Sequence, residues 1–211
     1  MRIVCLSDTH HQHDRLVVPP GDVLVHAGDF TRRGAESDVR AFDAWLGGLP
    51  HRHKIVIAGN HDFCFELNPA ARAWMTNAIY LQDEAVTLEG VRFWGSPWQP
   101  RFYDWAFNLD RGEPLRRVWS RIPSGTDVLI THGPPYGILD ATDRGEAVGC
   151  EELLLAIRRV CPRLHVFGHI HEGYGEQTVD GTHFVNASNC DLNYRPVQAP
   201  VVFDLTPKET L

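Results

Sequence analysis

Asp8 and His10 stand in an Asp-Thr-His triplet, and four further short motifs follow it: Gly28-Asp29, Gly59-Asn60-His61-Asp62, His132-Gly133 and Gly168-His169-Ile170-His171. Each comes directly after an apolar run of strand character: RIVCL, VLVHA, KIVIA, VLIT and LHVF in turn. Strands that end together deliver such residues to one rim of a sheet, and the glycines let the chain turn tightly and leave room for ions. Two carboxylates, one amide and four or five imidazoles are enough donors for two ions. Mixed oxygen and nitrogen ligation suits Mn, Fe, Zn or Co, whereas an all-oxygen set would point to Mg or Ca and a thiolate set to zinc or iron–sulfur.

The elements that must position these residues are legible as short β-rich runs. They fall at Arg2 to Leu6, Val23 to His26, Lys54 to Ala58, Val91 to Trp94, Asp127 to Thr131, Leu164 to Phe167, His183 to Ala187 and Val201 to Leu205. Helical patterns lie between some of them. Ser37 stands as an N-cap before Val39, Phe42, Trp45 and Leu46, Asn68-Pro69 opens Ala70 to Met75, and Glu151 to Val160 carries Leu153, Leu154, Ile157 and Val160 on one face. The class is therefore α/β or α+β with much sheet. Residues Val91 to Ser120 hold Trp94, Trp98, Trp105 and Trp119 among Pro97, Pro100 and Pro114, and read as a long, aromatic, irregular insertion in a single domain spanning 1–211.

The chain has 211 residues, 43% of them hydrophobic and 22% charged, which is ordinary globular composition without support for disorder or coiled coil. Apolar stretches such as VLV and IVIA fall far short of the ~20 residues that span a bilayer. The formal charge is −7 and only Lys54 and Lys208 are lysines, so no basic tract exists to neutralise a run of phosphates, and a stable duplex nucleic-acid partner is not expected. Nor is a membrane partner, and the chain's beginning, MRIVCLSDTHH, lacks the apolar core of a secretory signal, so a cytoplasmic setting is expected. Cys5, Cys64, Cys150, Cys161 and Cys190 are an odd, scattered set that fits reduced, buried thiols better than disulfides or a zinc clasp.

Of the 12 histidines, His11, His13, His51, His53, His165 and His183 are assigned to surface, loop or packing roles. His26, two residues before Gly28, is a candidate support for the metal ligands. Serine hydrolase, zincin and P-loop chemistries are excluded, because no G-x-S-x-G, H-E-x-x-H or G-x-x-x-x-G-K occurs.

The ordered series D-x-H, G-D, G-N-H-D, H-G and G-H-x-H, running from Asp8 to His171, resembles the calcineurin-like metallophosphoesterase superfamily. GDFTRRG at Gly28 to Gly34, KIVIAGNHDFCFE at Lys54 to Glu66 and the stretch from Asn186 to Leu205 are similar to its small metallophosphoesterase-domain-containing subgroup of phosphodiesterases. The resemblance implies a four-layer α/β/β/α sandwich of two mixed sheets with a dinuclear site at the C-terminal rim of the strands. It implies a first divalent transition ion on Asp8, His10 and His171, a second on Asn60, His132 and His169, and Asp29 between them. Mn is favoured for the pair, with Fe, Zn, Co and Ni as alternatives, and a bridging hydroxide would be the nucleophile.

His61 is then free to contact phosphate and protonate the leaving oxygen, with Asp62 orienting its ring or merely capping the following turn. Two ions, two carboxylates and one hydroxide leave a site of about +1, which leans towards the single charge of a phosphodiester. The expected reaction is hydrolysis of small phosphodiesters, cyclic or nucleotide-linked. A nuclease, a phosphomonoesterase and a non-catalytic phosphate-binding module are the alternatives. Arg32 and Arg33 are candidate phosphate contacts, and Trp98, Phe102 and Tyr103 are candidate stacking surfaces for a flat substrate group.

Overall fold

The computed structural model describes residues 1–206. Alternation within the strands builds the layers. In β1 (Arg2–Leu6), Ile3 and Cys5 face one core while Val4 and Leu6 face another, because successive side chains of a strand point to opposite faces. The same two-sided burial runs through β2 (Val23–His26), β3 (His53–Val56), β9 (Val128–Thr131) and β10 (Leu164–Phe167), as expected of strands covered on both sides.

One sheet has the order β13-β1-β2-β3-β4, where β4 is Ile79–Tyr80 and β13 is Val201–Asp204. β1 to β4 are parallel and β13 runs antiparallel to β1. The second has six strands in the order β11-β12-β10-β9-β6-β5, adding β5 (Glu84–Leu88), β6 (Val91–Ser96), β11 (Gly175–Val179) and β12 (Thr182–Asn186). Its four inner strands are parallel, and β5 and β11 pair antiparallel to their neighbours.

Ile3, Val25, Ile55, Phe93, Ile130, Val166 and Val185 form the core between the sheets. The outer face of the five-stranded sheet is covered by α1 (Glu36–Gly47) through Val39, Phe42 and Leu46, with the short α2 (Phe63–Leu67) beside it. The outer face of the six-stranded sheet is covered by α3 (Glu113–Ser120) and α4 (Glu151–Val160). The fold is thus an α/β/β/α sandwich of two mixed sheets.

Several local expectations need correction. α1 begins at Glu36 after an extended Ala35, and Ser37 lies inside it without a capping bond. Glu36 and Asp38 supply negative charge to that first turn, which suits the positive end of the helix dipole. Asn68 does cap the next turn, its side chain accepting from Ala70 N at 3.0 Å, but Pro69–Trp74 is a 3₁₀ turn. The segment from Val91 to Ser120 is not irregular throughout: it starts as the sheet strand β6 and ends as α3. Between them β7 (Gln99–Pro100) and β8 (Asn108–Leu109) pair in parallel. Trp94 and Trp119 are buried in the core under α3 and α4.

The sheets are in close contact at Gly95 of β6, where an added Cβ would sit 2.7 Å from Ile57 Cγ2 and 2.7 Å from Leu81 Cβ. Gly95→Ala is therefore expected to overpack the interface and cost about 1–3 kcal/mol, read as a lowered urea midpoint. An unchanged midpoint would show that the two sheets are free to separate there.

Candidate metal centre

Register brings the motif loops to one edge. Leu6 pairs with His26 and His26 with Val56, while Ile130 pairs with Val166 and Phe167 with Asn186. The loops that follow emerge side by side and lock together: Asp8 N donates to Gly28 O at 3.0 Å, His10 N to Asp29 O at 2.9 Å and Gly168 N to His132 O at 2.9 Å. His132 Nδ1 reaches across to Ala27 O at 2.9 Å, joining the two sheets at the rim.

The turns are sharp enough that Asp8, His10, Asp29 and His169 all have positive φ, a region that Asp and His visit more readily than most residues. Gly28, at φ 100, would put a Cβ 2.7 Å from both Ala58 O and His132 Nδ1. A Cβ at Gly59 or Gly168 would collide with the carboxylates of Asp29 and Asp8, so both glycines are required by close approach.

Three groups of donor atoms converge within 4.8 Å: Asp8, His10 and His171; His10, Asp29 and His61; and Asp8, Asp29 and His132. In the first, His10 Nε2 and His171 Nε2 are 3.2 Å apart, and His171 Nε2 is 3.5 Å from Asp8 Oδ1. Asp8 Oδ1 is buried without a hydrogen-bond partner among the described residues. An acceptor oxygen left bare beside two imidazole nitrogens that share one point is the arrangement a cation would organise. Asp29 lies at the centre, its Oδ2 3.5 Å from His132 Nε2 and 3.9 Å from the Nε2 atoms of both His10 and His61. Asn60 Oδ1 is 2.9 Å from His132 Nε2. His169 belongs to none of the three groups; its ring lies 5.0 Å from that of His132, and its backbone N–H donates to Asp8 Oδ2 at 2.9 Å.

Residues 1–173 match the family described as calcineurin-like phosphoesterase. The chain belongs to that family. It is 50% identical over 236 aligned residues to metallophosphoesterase domain-containing protein 1 of Homo sapiens and to that of Mus musculus, covering 99% of this chain and 72% of each relative. The fold is shared with the crystal structure of phosphopantetheinyl hydrolase (PptH) from Mycobacterium tuberculosis. There the TM-score is 0.62 at 16% identity, covering 94% of this chain and 95% of that one. The chain is accordingly a metallophosphoesterase, a hydrolase of a family that uses divalent metal ions, and the bare Asp8 oxygen with its facing nitrogens fits such ions. No described helix is long and apolar enough to cross a membrane.

Around the donors of this phosphoesterase, the structure departs from expectation at Asp62. Its carboxylate does not reach the His61 ring and makes no capping bond to α2. Instead it accepts from Asp29 N at 2.8 Å, Gly59 N at 2.9 Å, Thr31 N at 2.9 Å and Thr31 Oγ1 at 2.7 Å, tying two of the motif loops together. His61 is oriented by a backbone carbonyl, with Nδ1 donating to Arg32 O at 2.8 Å. Trp98 is not a stacking surface, since it packs on both outer cores and donates Nε1–H to Asp83 at 3.0 Å. Tyr103 is 76% exposed and packs on Phe102, outside the cavities that adjoin the donors. Phe102 does line the site, edge-on to His169 at 5.7 Å. Arg32 and Arg33 are exposed at its border.

Three contributors, Tyr194, Trp105 and Ser188, escaped sequence reasoning, whereas His26 was anticipated as a support. Tyr194 packs edge-on to His10 at 4.6 Å, and Trp105 lies on His61 at 4.2 Å. Ser188 Oγ lies 2.9 Å from Asp8 Oδ2 and 2.8 Å from Asn186 Oδ1. His26 is a buried support, its Nε2 3.1 Å from Thr9 Oγ1 in the Asp8 turn.

Burial opposes ionisation of Asp8 and Asp29, yet the surrounding histidines, His171 foremost at Asp8 and His132 at Asp29, hold both carboxyls well below the usual range. Burial lowers His10 to about 4 and His169 to about 3, so both rings are neutral at pH 7. Burial also works against charge on His132, but Asp29 and then Asp8 outweigh it and push the group up to about 9. A cation that took His132 as a ligand would have to displace that proton. Apparent metal affinity should rise about tenfold per pH unit for one displaced proton, across the range between the ordinary histidine value and about 9. Calorimetric titrations in buffers of different ionisation enthalpy read this directly, and a flat pH dependence would contradict it.

Asp62→Asn keeps the shape but turns an N–H donor towards the donors it now accepts from. Loss of about 2–4 kcal/mol of stability and of metal content together is expected, because buried donors lose a charged acceptor. Elemental analysis of a variant that still folds at low temperature checks the second half, and full occupancy there would sink it.

Proposed function

We propose that this phosphoesterase hydrolyses small phosphodiesters, nucleotide-linked or cyclic, with two divalent transition ions, Mn favoured. Asp8, His10 and His171 would hold one ion, Asn60, His132 and His169 the other, with Asp29 shared. When bound, the ions polarise the phosphoryl group and lower the pKa of water towards neutrality. The observation that carries the diester reading is the shape of the opening. A cavity of about 400 Å³, lined by Phe102, Pro134, Val148 and Leu192, and another of about 340 Å³, lined by Arg32, Arg33 and Trp105, both border His61 and Tyr194. A phosphoryl group held beside Asp29 therefore has two directions in which to carry a substituent, and a monoester fills one.

His61 stands at that divide. Because Arg32 O can only accept, the Nδ1 of His61 carries the hydrogen, and Nε2 is the atom presented to the site, 3.9 Å from Asp29 Oδ2. Protonated there, it delivers a proton to the departing ester oxygen. Arg101 and Arg111 at the cavity edge are ion-paired with Asp110 and Glu151, which supports small substrates over a long nucleic-acid strand. The scattered thiols, four of them buried, support a cytoplasmic setting.

Turnover of bis(p-nitrophenyl) phosphate and p-nitrophenyl phosphate by Mn-loaded protein tests the reading, the diester being the expected better substrate. Faster monoester turnover would overturn it. His61→Ala should keep its metal and lose roughly 10²–10⁴-fold in kcat on diesters with alkoxide leaving groups, and much less with nitrophenolate, which needs little protonation. An equal loss on both would make His61 a positioning group only.

A further inference from the structure

Each of the two cavities beside His61 is lined by two arginines, but those of the larger, Arg101 and Arg111, are ion-paired with Asp110 and Glu151. The chain carries −7 overall, and its arginines are mostly neutralised in pairs such as Arg2 with Asp204, Arg72 with Glu84, Arg121 with Asp83 and Arg195 with Asp191. Arg32 and Arg33, adjacent in sequence at the mouth of the smaller cavity, have no carboxylate partner among the described residues. Two neighbouring guanidinium groups repel one another unless an anion is shared between them.

They are also held in place. The turn that carries them starts at buried Thr31, whose N–H and hydroxyl are fixed on Asp62, and closes where Gly34 N donates to Thr31 Oγ1 at 2.9 Å. Gly34 has φ 72, and a Cβ there would sit 2.6 Å from Cys64 N, so the turn is seated against the start of α2. Arg32 Nε lies 3.5 Å from His10 O, and its own carbonyl accepts from His61. The Arg33 guanidinium stands 5.6 Å over the ring of Trp105, which itself leans on His61 and Phe63. An indole face carrying one guanidinium beside a second unpaired one forms a fixed cationic floor, and arginine matches phosphate oxygens two at a time.

From this geometry we infer that the Arg32–Arg33–Trp105 cavity is a subsite for a second phosphate group of the substrate, next to the one being hydrolysed. The inference rests on the phosphodiesterase reading and narrows it to phosphodiesters that carry a further phosphate, as a nucleotide with a terminal phosphate does. The larger cavity, with Phe102, Pro134, Val148 and Leu192, takes the less polar part.

Equilibrium binding to the Mn-loaded protein separates this inference from the reading beneath it. Calorimetry with adenosine 3′,5′-bisphosphate and with adenosine 5′-monophosphate should give the bisphosphate an affinity at least about tenfold higher, from charge-assisted contacts to the second phosphate. In Arg32→Gln/Arg33→Gln that ratio should fall to near one, while Arg116→Gln/Arg117→Gln, a charge-matched change on exposed α3, should preserve it. Both pairs are exposed, so neither variant is expected to unfold. Equal affinities in the unaltered protein, or a ratio that survives loss of Arg32 and Arg33, would overturn the subsite. If the ratio behaves as expected but no diester is hydrolysed, the subsite stands and the phosphodiesterase reading falls. If diesters are hydrolysed without any such ratio, the reverse holds.

Discussion

Asp8 and Asp29 are carboxylates almost wholly removed from water, at 0% and 2% exposure, within one cluster of donors. Two negative charges in such a place are costly unless positive charge or hydrogen-bond donors meet them. Much of the rim follows from that cost. Asp8 Oδ2 receives His169 N–H and the Ser188 hydroxyl, and Asp29 Oδ1 receives His61 N–H, so each carboxylate has one oxygen satisfied by the protein. The other oxygen of each, Asp8 Oδ1 and Asp29 Oδ2, is turned towards the imidazoles. Without metal, protons on His132 and His171 are the positive charge available, which is why both groups lie above the ordinary histidine value despite burial.

Asp62 extends the same principle one layer back. Burial and the charge of Asp29 push it up to about 7, while the bonds from Gly59 and Thr31 pull the other way. Four donors aimed at its two oxygens define a carboxylate site, and the ions that the family uses would relieve the repulsion from Asp29. Asp62 holds the Asp29 loop, the Gly59 turn and the Thr31 turn in one network. The unpaired arginines, His61 and the central carboxylate are therefore positioned by one buried residue that lines neither cavity beside His61.

How much of this was legible in the sequence depended on range. β1, β2, β10 and α4 could be read to the residue, because their apolar periodicity is local and the ends of the three strands are marked by the motif residues. β4 and β7, two residues each, and the half-exposed edge strands β5 and β11 carry too little pattern to separate from loop. The motif residues were legible because their spacing relative to strands is itself a signal. Tyr194 and Trp105 were not, since each reaches the rim from a loop whose path is decided by packing far away in sequence. Asp62 was misread for a related reason. Adjacency to His61 suggested a partner for that ring, but in a tight turn the next side chain points elsewhere, and Asp62 found backbone N–H groups that sequence does not display.

The histidines show how the backbone, rather than other side chains, sets the chemistry of the rim. His61, His132 and His171 each give Nδ1–H to a main-chain carbonyl, of Arg32, Ala27 and Asp191 respectively. A carbonyl only accepts, so in all three rings the tautomer is fixed and Nε2 is directed at the carboxylates. A carboxylate in that role would add a further buried negative charge to a place that already holds two, and would raise the cost of the whole cluster. Carbonyl partners avoid that charge, but they make the aim of each Nε2 depend on loop geometry. The left-handed residues and close-approach glycines are consequently part of the geometry of the donor cluster itself: a shift of the chain at Gly28 or Gly59 turns an imidazole as surely as replacing the ring would.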